Sequence, residues 1–101
     1  MDRILDKNIE TSWFSLSLPA QMVNIGNEVK RAFRFSDLKK QNTFLDKAIF
    51  YTELTSKDEK NSNVSKEILI GLEVLENLKN NNSIYSKNQI LKYYKTFSYF
   101  L

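Results

Sequence analysis

The residues best suited by type and spacing to do chemistry are cations. Lys30, Arg31, Arg34, Lys39, Lys40 and Lys47 fall in one stretch, opposed nearby only by Glu28, Asp37 and Asp46, with Phe33 and Phe35 between them. Basic side chains among aromatics can follow a phosphate backbone and stack on bases. The same charges can instead complement a helix C-terminus and keep a turn in water, with the phenylalanines packed inside. The second group is aromatic: Tyr93, Tyr94, Phe97, Tyr99 and Phe100. Aromatics on several sides of one short helix suit a protein interface, including one between two copies of the chain. They suit equally a small core that fills its volume with large side chains.

Catalysis has little to work with. The chain contains neither histidine nor cysteine. The commonest general base is therefore missing, and so are thiolate nucleophiles, disulfides and zinc–thiolate sites. The remaining Ser, Thr, Lys and Tyr residues stand in no Gly-rich phosphate loop, G-x-S-x-G or S-x-x-K context. Glu73 and Glu76 are spaced i, i+3 and could share a helix face. Di-iron bundles, however, pair such a glutamate with a histidine. A solvated acidic face is the expectation, with no enzyme activity, no metal and no cofactor.

Four helices must position these groups. Leu18, Met22, Ile25, Val29 and Ala32 alternate by four and three, which predicts a helix over about 17–35 with Ser17 as N-cap and Pro19 in its first turn. Gly26 lies beside this seam, where a close helix–helix approach would account for it. Glu28 and Arg31 can pair at i, i+3, and Asn24 borders the seam. Leu45, Ala48, Ile49 and Thr52 predict a second helix over about 37–55, capped by Ser36 or Asp37. Residues 56–63 contain no apolar side chain and read as a polar loop. Val64, Ile68, Leu72 and Leu75 predict a third helix to about 79, ended by the Asn80–Asn82 run. Ser86 and Gln89 form a capping box for a fourth, whose face is Ile90, Leu91, Tyr94, Phe97 and Leu101. Residues 1–15 read as an N-terminal arm, with Ile4, Leu5 and Ile9 on one side of a helical turn and Trp13 pinning it. The expected organisation is this arm followed by a single all-α domain, 16–101, folded as a compact four-helix bundle.

Apolar residues make up 42% of the chain, enough for one core at 101 residues. Two glycines and one proline are too few to punctuate hairpins or a sandwich. The net charge of +3 is mild and does not by itself demand nucleic acid. Met1–Lys7 lacks the apolar segment of a signal peptide, and no run approaches the ~20 apolar residues that span a bilayer. A cytoplasmic protein without membrane contact is expected. The bias toward Lys, Asn, Ile, Phe and Tyr suggests an AT-rich coding genome, such as that of a low-GC bacterium or its phages.

The segment Asn24-Ile25-Gly26-Asn27-Glu28-Val29-Lys30-Arg31-Ala32 resembles the first-helix signature of an uncharacterised family of small helical proteins from low-GC bacteria and archaea. Leu45–Ile49 is similar to their second helix and Ile90–Phe97 to their aromatic tail, so the resemblance covers about residues 13–101. It implies the fold and supplies no catalytic residue. The topology is also similar to the four-helix proteins that accompany diversity-generating reverse transcriptases. HEPN ribonucleases, by contrast, need an arginine followed by a histidine, and this chain has none. The function expected is a non-catalytic interaction module that binds a protein or ribonucleoprotein. A phage or mobile-element inhibitor of a host defence nuclease, in the manner of anti-CRISPR proteins, would be such a module. The alternative is a nucleic-acid-binding accessory protein that uses the basic residues between 30 and 47.

Overall fold

A computed structural model describes residues 7–101. The helix expected over 17–35 is α2, Leu18–Phe33. Ser17 caps it, its Oγ accepting the Ala20 N–H at 3.3 Å, and Pro19 occupies the first turn where no amide partner is lost. The second is α3, Leu38–Lys57, capped by Asp37, whose carboxylate accepts the Lys39 N–H at 2.9 Å. The third is α4, Ser65–Lys79, and the fourth is α5, Lys87–Thr96. Both halves of the capping box form: Gln89 N–H donates to Ser86 Oγ at 3.1 Å, and Ser86 N–H to Gln89 Oε1 at 2.8 Å. A 3-10 turn, Phe97–Phe100, continues α5. No strand occurs among the described residues.

The four-helix count needs correction. The end of the expected arm is itself a helix, α1, Lys7–Phe14, so the described chain has five α-helices. Eight residues are too few for a helix to persist on local propensity alone. What holds it is Trp13, 6% exposed, whose ring stacks on Tyr51 at 4.4 Å and whose Nε1–H donates to Thr55 Oγ1 at 2.9 Å. Ile9 is exposed, and Ile4 and Leu5 lie outside the described residues.

The segment expected as a polar loop also differs. α3 runs on to Lys57, and a 3-10 helix, Glu59–Val64, follows. Asp58 and Asn61 are buried, because their polar atoms are partnered inside the protein instead of by water. Gln21, fully buried on α2, links them: its Nε2 donates to the Trp13 carbonyl at 3.0 Å and to Asp58 Oδ2 at 2.9 Å. Its Oε1 accepts from Asn61 Nδ2 at 2.9 Å, which also donates to the Thr55 carbonyl at 3.0 Å. Lys60 pairs with Asp58 and donates to the Phe14 carbonyl at 2.9 Å. Burial pushes the Asp58 carboxyl up, but the hydrogen bonds from Lys60 and Gln21 outweigh this and hold it below the usual carboxylate range. One polar network therefore fastens α1, α2, the end of α3 and the 3-10 helix together.

The core lies between α2 and α3, where Ile25, Val29, Ala32 and Ala48 are fully buried. α4 adds Leu75 and packs on α3, aided by a Lys79–Asp46 ion pair at 2.6 Å. α5 packs on α2 instead. There the backbone of α2 comes so close that a Cβ built on Gly26 would lie 2.5 Å from Tyr94 Cβ. Asn24 is exposed and bonds back to the Ala20 carbonyl at 2.8 Å, so it plays no part in this contact.

Candidate functional site

Because α4 leans on α3 and α5 leans on α2, a trough opens between α4 and α5. Its larger end has a volume of about 410 Å3 and is lined by Glu67, Ile70, Gly71 and Val74 of α4 and by Tyr85, Gln89, Ile90, Tyr93 and Tyr94. A smaller end of about 160 Å3 shares Ile70, Val74 and Tyr85 and runs on to Glu73, Asn77, Ser83 and Ile84. The two ends adjoin across these shared residues. The rim of the trough carries Ile70 at 62% exposure and Ile84 at 86%, with Tyr85 about half exposed. Helical period explains the α4 side: residues 67, 70, 71 and 74 fall on one face, while Ile68 and Leu75 turn toward the core. The Schellman turn at Asn81, with φ of 64°, ends α4 and reverses the chain so that Ile84 and Tyr85 stand over the trough. In that turn Asn82 N–H donates to the Asn77 carbonyl at 2.8 Å and Asn81 N–H to the Leu78 carbonyl at 3.2 Å.

The trough differs from the rest of the surface in charge. Among the described residues, no Lys or Arg lines either end of the trough. The charged side chains that do are Glu67 and Glu73. Tyr93 O–H donates to Glu67 at 3.4 Å. Burial and the adjacent Glu67 carboxylate push the Tyr93 phenol up to about 12. Burial raises the Tyr94 phenol further.

The aromatic group named from the sequence is divided by the fold. Tyr94 is 4% exposed, packed on Gly26, and belongs to the core, touching the trough only at its floor. Phe97 is half-buried against the core, edge-on to Tyr93 at 5.5 Å. Tyr93 forms a trough wall, whereas Tyr99 and Phe100 are open to solvent at 77% and 74%. The contributions of Ile70, Gly71, Ile84 and Tyr85 were not read from the sequence. The signal available was Ile70, which falls outside the Val64-Ile68-Leu72-Leu75 seam, beside a glycine in the middle of the helix.

Compared with known proteins, the chain finds no match. No family model, curated protein or solved structure aligns with it significantly.

The basic residues Lys30, Arg31, Arg34, Lys39, Lys40 and Lys47 are all exposed around the α2–α3 turn. Arg31 pairs with Glu28, whose other carboxylate oxygen is buried without a partner among the described residues. Phe35 and Phe44 stack face to face at 5.6 Å and an interplanar angle of 2°, with Lys40 Nζ 5.5 Å from the first ring and Lys47 Nζ 5.6 Å from the second. Phe33, half-buried, carries Lys87 at 5.2 Å. These rings are therefore occupied by one another and by lysines, and each is partly covered. Glu73 and Glu76 are both exposed, and the described residues contain no cluster of three or more carboxylates able to hold a metal ion.

Proposed function

We propose that this protein is a non-catalytic interaction module that binds a protein partner through the α4–α5 face. The observation that carries the reading is the trough itself, an apolar channel whose rim residues Ile70, Ile84 and Tyr85 stand in water. A small domain that leaves adjoining large apolar side chains exposed has a surface suited to a partner. Protein or ribonucleoprotein targets fit this reading, and an inhibitor of a defence nuclease is the form we favour. The surfaces of nucleases that hold nucleic acid are basic, and the described residues of the trough offer carboxylates and no cations. The test is an affinity pull-down from host lysate, with and without nuclease treatment, using wild type and Ile70→Glu. A stoichiometric protein that survives nuclease and is lost with Ile70→Glu supports the reading. Partners that disappear with nuclease and are insensitive to Ile70→Glu refute it.

A second reading, nucleic-acid binding at the α2–α3 turn, draws on the lysines beside the Phe35–Phe44 stack. It requires RNA or DNA affinity that falls steeply with salt and is abolished by reversing charge at Arg31, Arg34, Lys39 and Lys40. Binding that withstands those four changes removes the basic patch from consideration.

A further inference from the structure

The trough has three properties that together describe what it accepts. It is long and straight on its α4 side: from Glu67 to Asn77 is about 15 Å at 1.5 Å per residue, matching about three turns of a second helix. It is narrow-walled but open at one point. Gly71 lies in the middle of α4, where glycine costs helix stability, and a Cβ built on it meets nothing within 4 Å. Gly26, the other glycine, is explained inside the chain by Tyr94, whereas Gly71 has no such explanation and lines the trough. A glycine facing open space lets an incoming backbone approach α4 closely. The third property is charge. Glu67 stands at the large end and Glu73 at the small end, with Ile70 and Val74 between them and, among the described residues, no cation in the lining.

From these observations we infer that the occupant is an amphipathic α-helix of a partner protein, laid along α4 with its apolar stripe over Ile70, Gly71 and Val74 and with Lys or Arg residues beside that stripe meeting Glu67 and Glu73. The inference rests on the trough being the binding face and adds the partner's secondary structure and charge. Apolar anchors at i, i+3/i+4 and i+7 give such a helix its hold, while the flanking charges select against acidic helices. Tyr85 and Tyr93 supply aromatic walls for the stems of long cationic side chains.

The test is a selection from a displayed library of helix-forming peptides about three to four turns long. The full chain is the bait, and Gly71→Gln, which fills the channel at its open point, is the counter-selection. Circular dichroism checks that Gly71→Gln and Ile70→Glu remain folded. The expected result is a set of sequences with apolar residues at helical spacing flanked by Lys or Arg. Reversing charge at Glu67 and Glu73 together (E67K, E73K) should weaken their binding at least about tenfold, and added salt should do likewise. A selected set that is acidic, uncharged or non-helical, or that tolerates the double reversal, overturns the inference while leaving the trough as a binding face. Binders indifferent to both Gly71→Gln and Ile70→Glu, or no binders at all, overturn the inference and count against the trough itself.

Discussion

The two glycines provide a test of helix packing in which local propensity and tertiary contact oppose each other at one site only. Gly→Ala inside a helix gains about 0.5–1 kcal/mol from propensity alone. At Gly71 nothing lies within 4 Å of the new methyl group, so the gain should survive. At Gly26 the methyl would sit 2.5 Å from Tyr94 Cβ and 3.1 Å from its Cγ. Carbon atoms rest at about 3.5–4.0 Å, so the pair is compressed by an ångström or more. Rotation of the tyrosine cannot relieve this, because its Cβ is fixed by the backbone. α5 must therefore move off α2, loosening Ile90 and Tyr94, both 4% exposed. Overpacking of this kind costs about 1–3 kcal/mol, and a Cβ–Cβ collision belongs at the upper end. Less the propensity gain, Gly26→Ala should lose about 2 kcal/mol, whereas Gly71→Ala should gain up to about 1. At about 4–8 °C per kcal/mol, Tm should fall by about 8–16 °C for the first and rise by several degrees for the second. Thermal melts by circular dichroism, with fluorescence of Trp13, the single tryptophan, as a second probe, give both values. A Gly26→Ala protein as stable as wild type would refute the close α2–α5 crossing.

The remaining predictions concern the polar network, the α4 end and the trough wall. The folded-state pKa of Asp58 is depressed, so its contribution is present above the ordinary carboxylate range and is lost as pH falls through it. Asp58→Asn should lower Tm at neutral pH, by about 1.5–3 kcal/mol in charged hydrogen bonds, and the gap to wild type should narrow below about pH 4. A gap that stays constant into acid would disprove the assignment. Asn81 holds a positive φ, so Asn81→Gly should be neutral or slightly stabilising and Asn81→Ala should cost about 1 kcal/mol, measured by urea denaturation. Tyr93 should ionise only near 12 in an absorbance titration, and Glu67→Gln should lower that value, since the carboxylate disfavours the phenolate. The raised pKa also means that stability from this group is intact below about pH 10 and lost above it as the folded-state value is passed.

Much of the helical layout was legible because period and caps agree. The four-and-three spacing of Leu18 to Ala32, the Ser86–Gln89 box and the Asn run each specify a local geometry that tertiary packing had no reason to override. The Gly26 approach could be anticipated too, since a glycine beside an apolar seam needs a neighbour. Two features could not be read locally. α1 is stabilised by Thr55, Gln21 and Tyr51, all distant in sequence, so its own eight residues look like a frayed arm. Residues 58–61 look solvated because their side chains are polar, yet Asp58 and Asn61 are buried against Gln21 on α2, a partner that the local sequence does not reveal. The site was half legible for a related reason. Aromatics on several sides of α5 signalled more than a core stripe. Which of them face water, however, depends on α5 choosing α2 over α4 as its support, a packing whose closest approach is between Gly26 and Tyr94.

The same contact connects stability to the proposed binding face. A helix can lean on only so many neighbours. α5 is ten residues long, and its buried side chains are Ile90 and Tyr94. With α5 resting on α2, the face of α4 that carries Glu67, Ile70, Gly71 and Val74 is left open, and the turn at Asn81 then places Ile84 and Tyr85 beside the gap without filling it. Elsewhere, the polar network engages both N–H groups of the Gln21 amide and both of the Asn61 amide inside the protein. Loosening the α2–α5 crossing should therefore affect binding as well as stability. If α5 slid toward α4, as Gly26→Ala would encourage, the trough would narrow and a helical occupant would lose its place. A variant that lowers Tm by weakening the polar network instead, such as Asp58→Asn, should leave affinity for selected peptides unchanged well below its own melting point. Equal losses of affinity in the two variants would mean that the trough depends on global stability and not on where α5 rests.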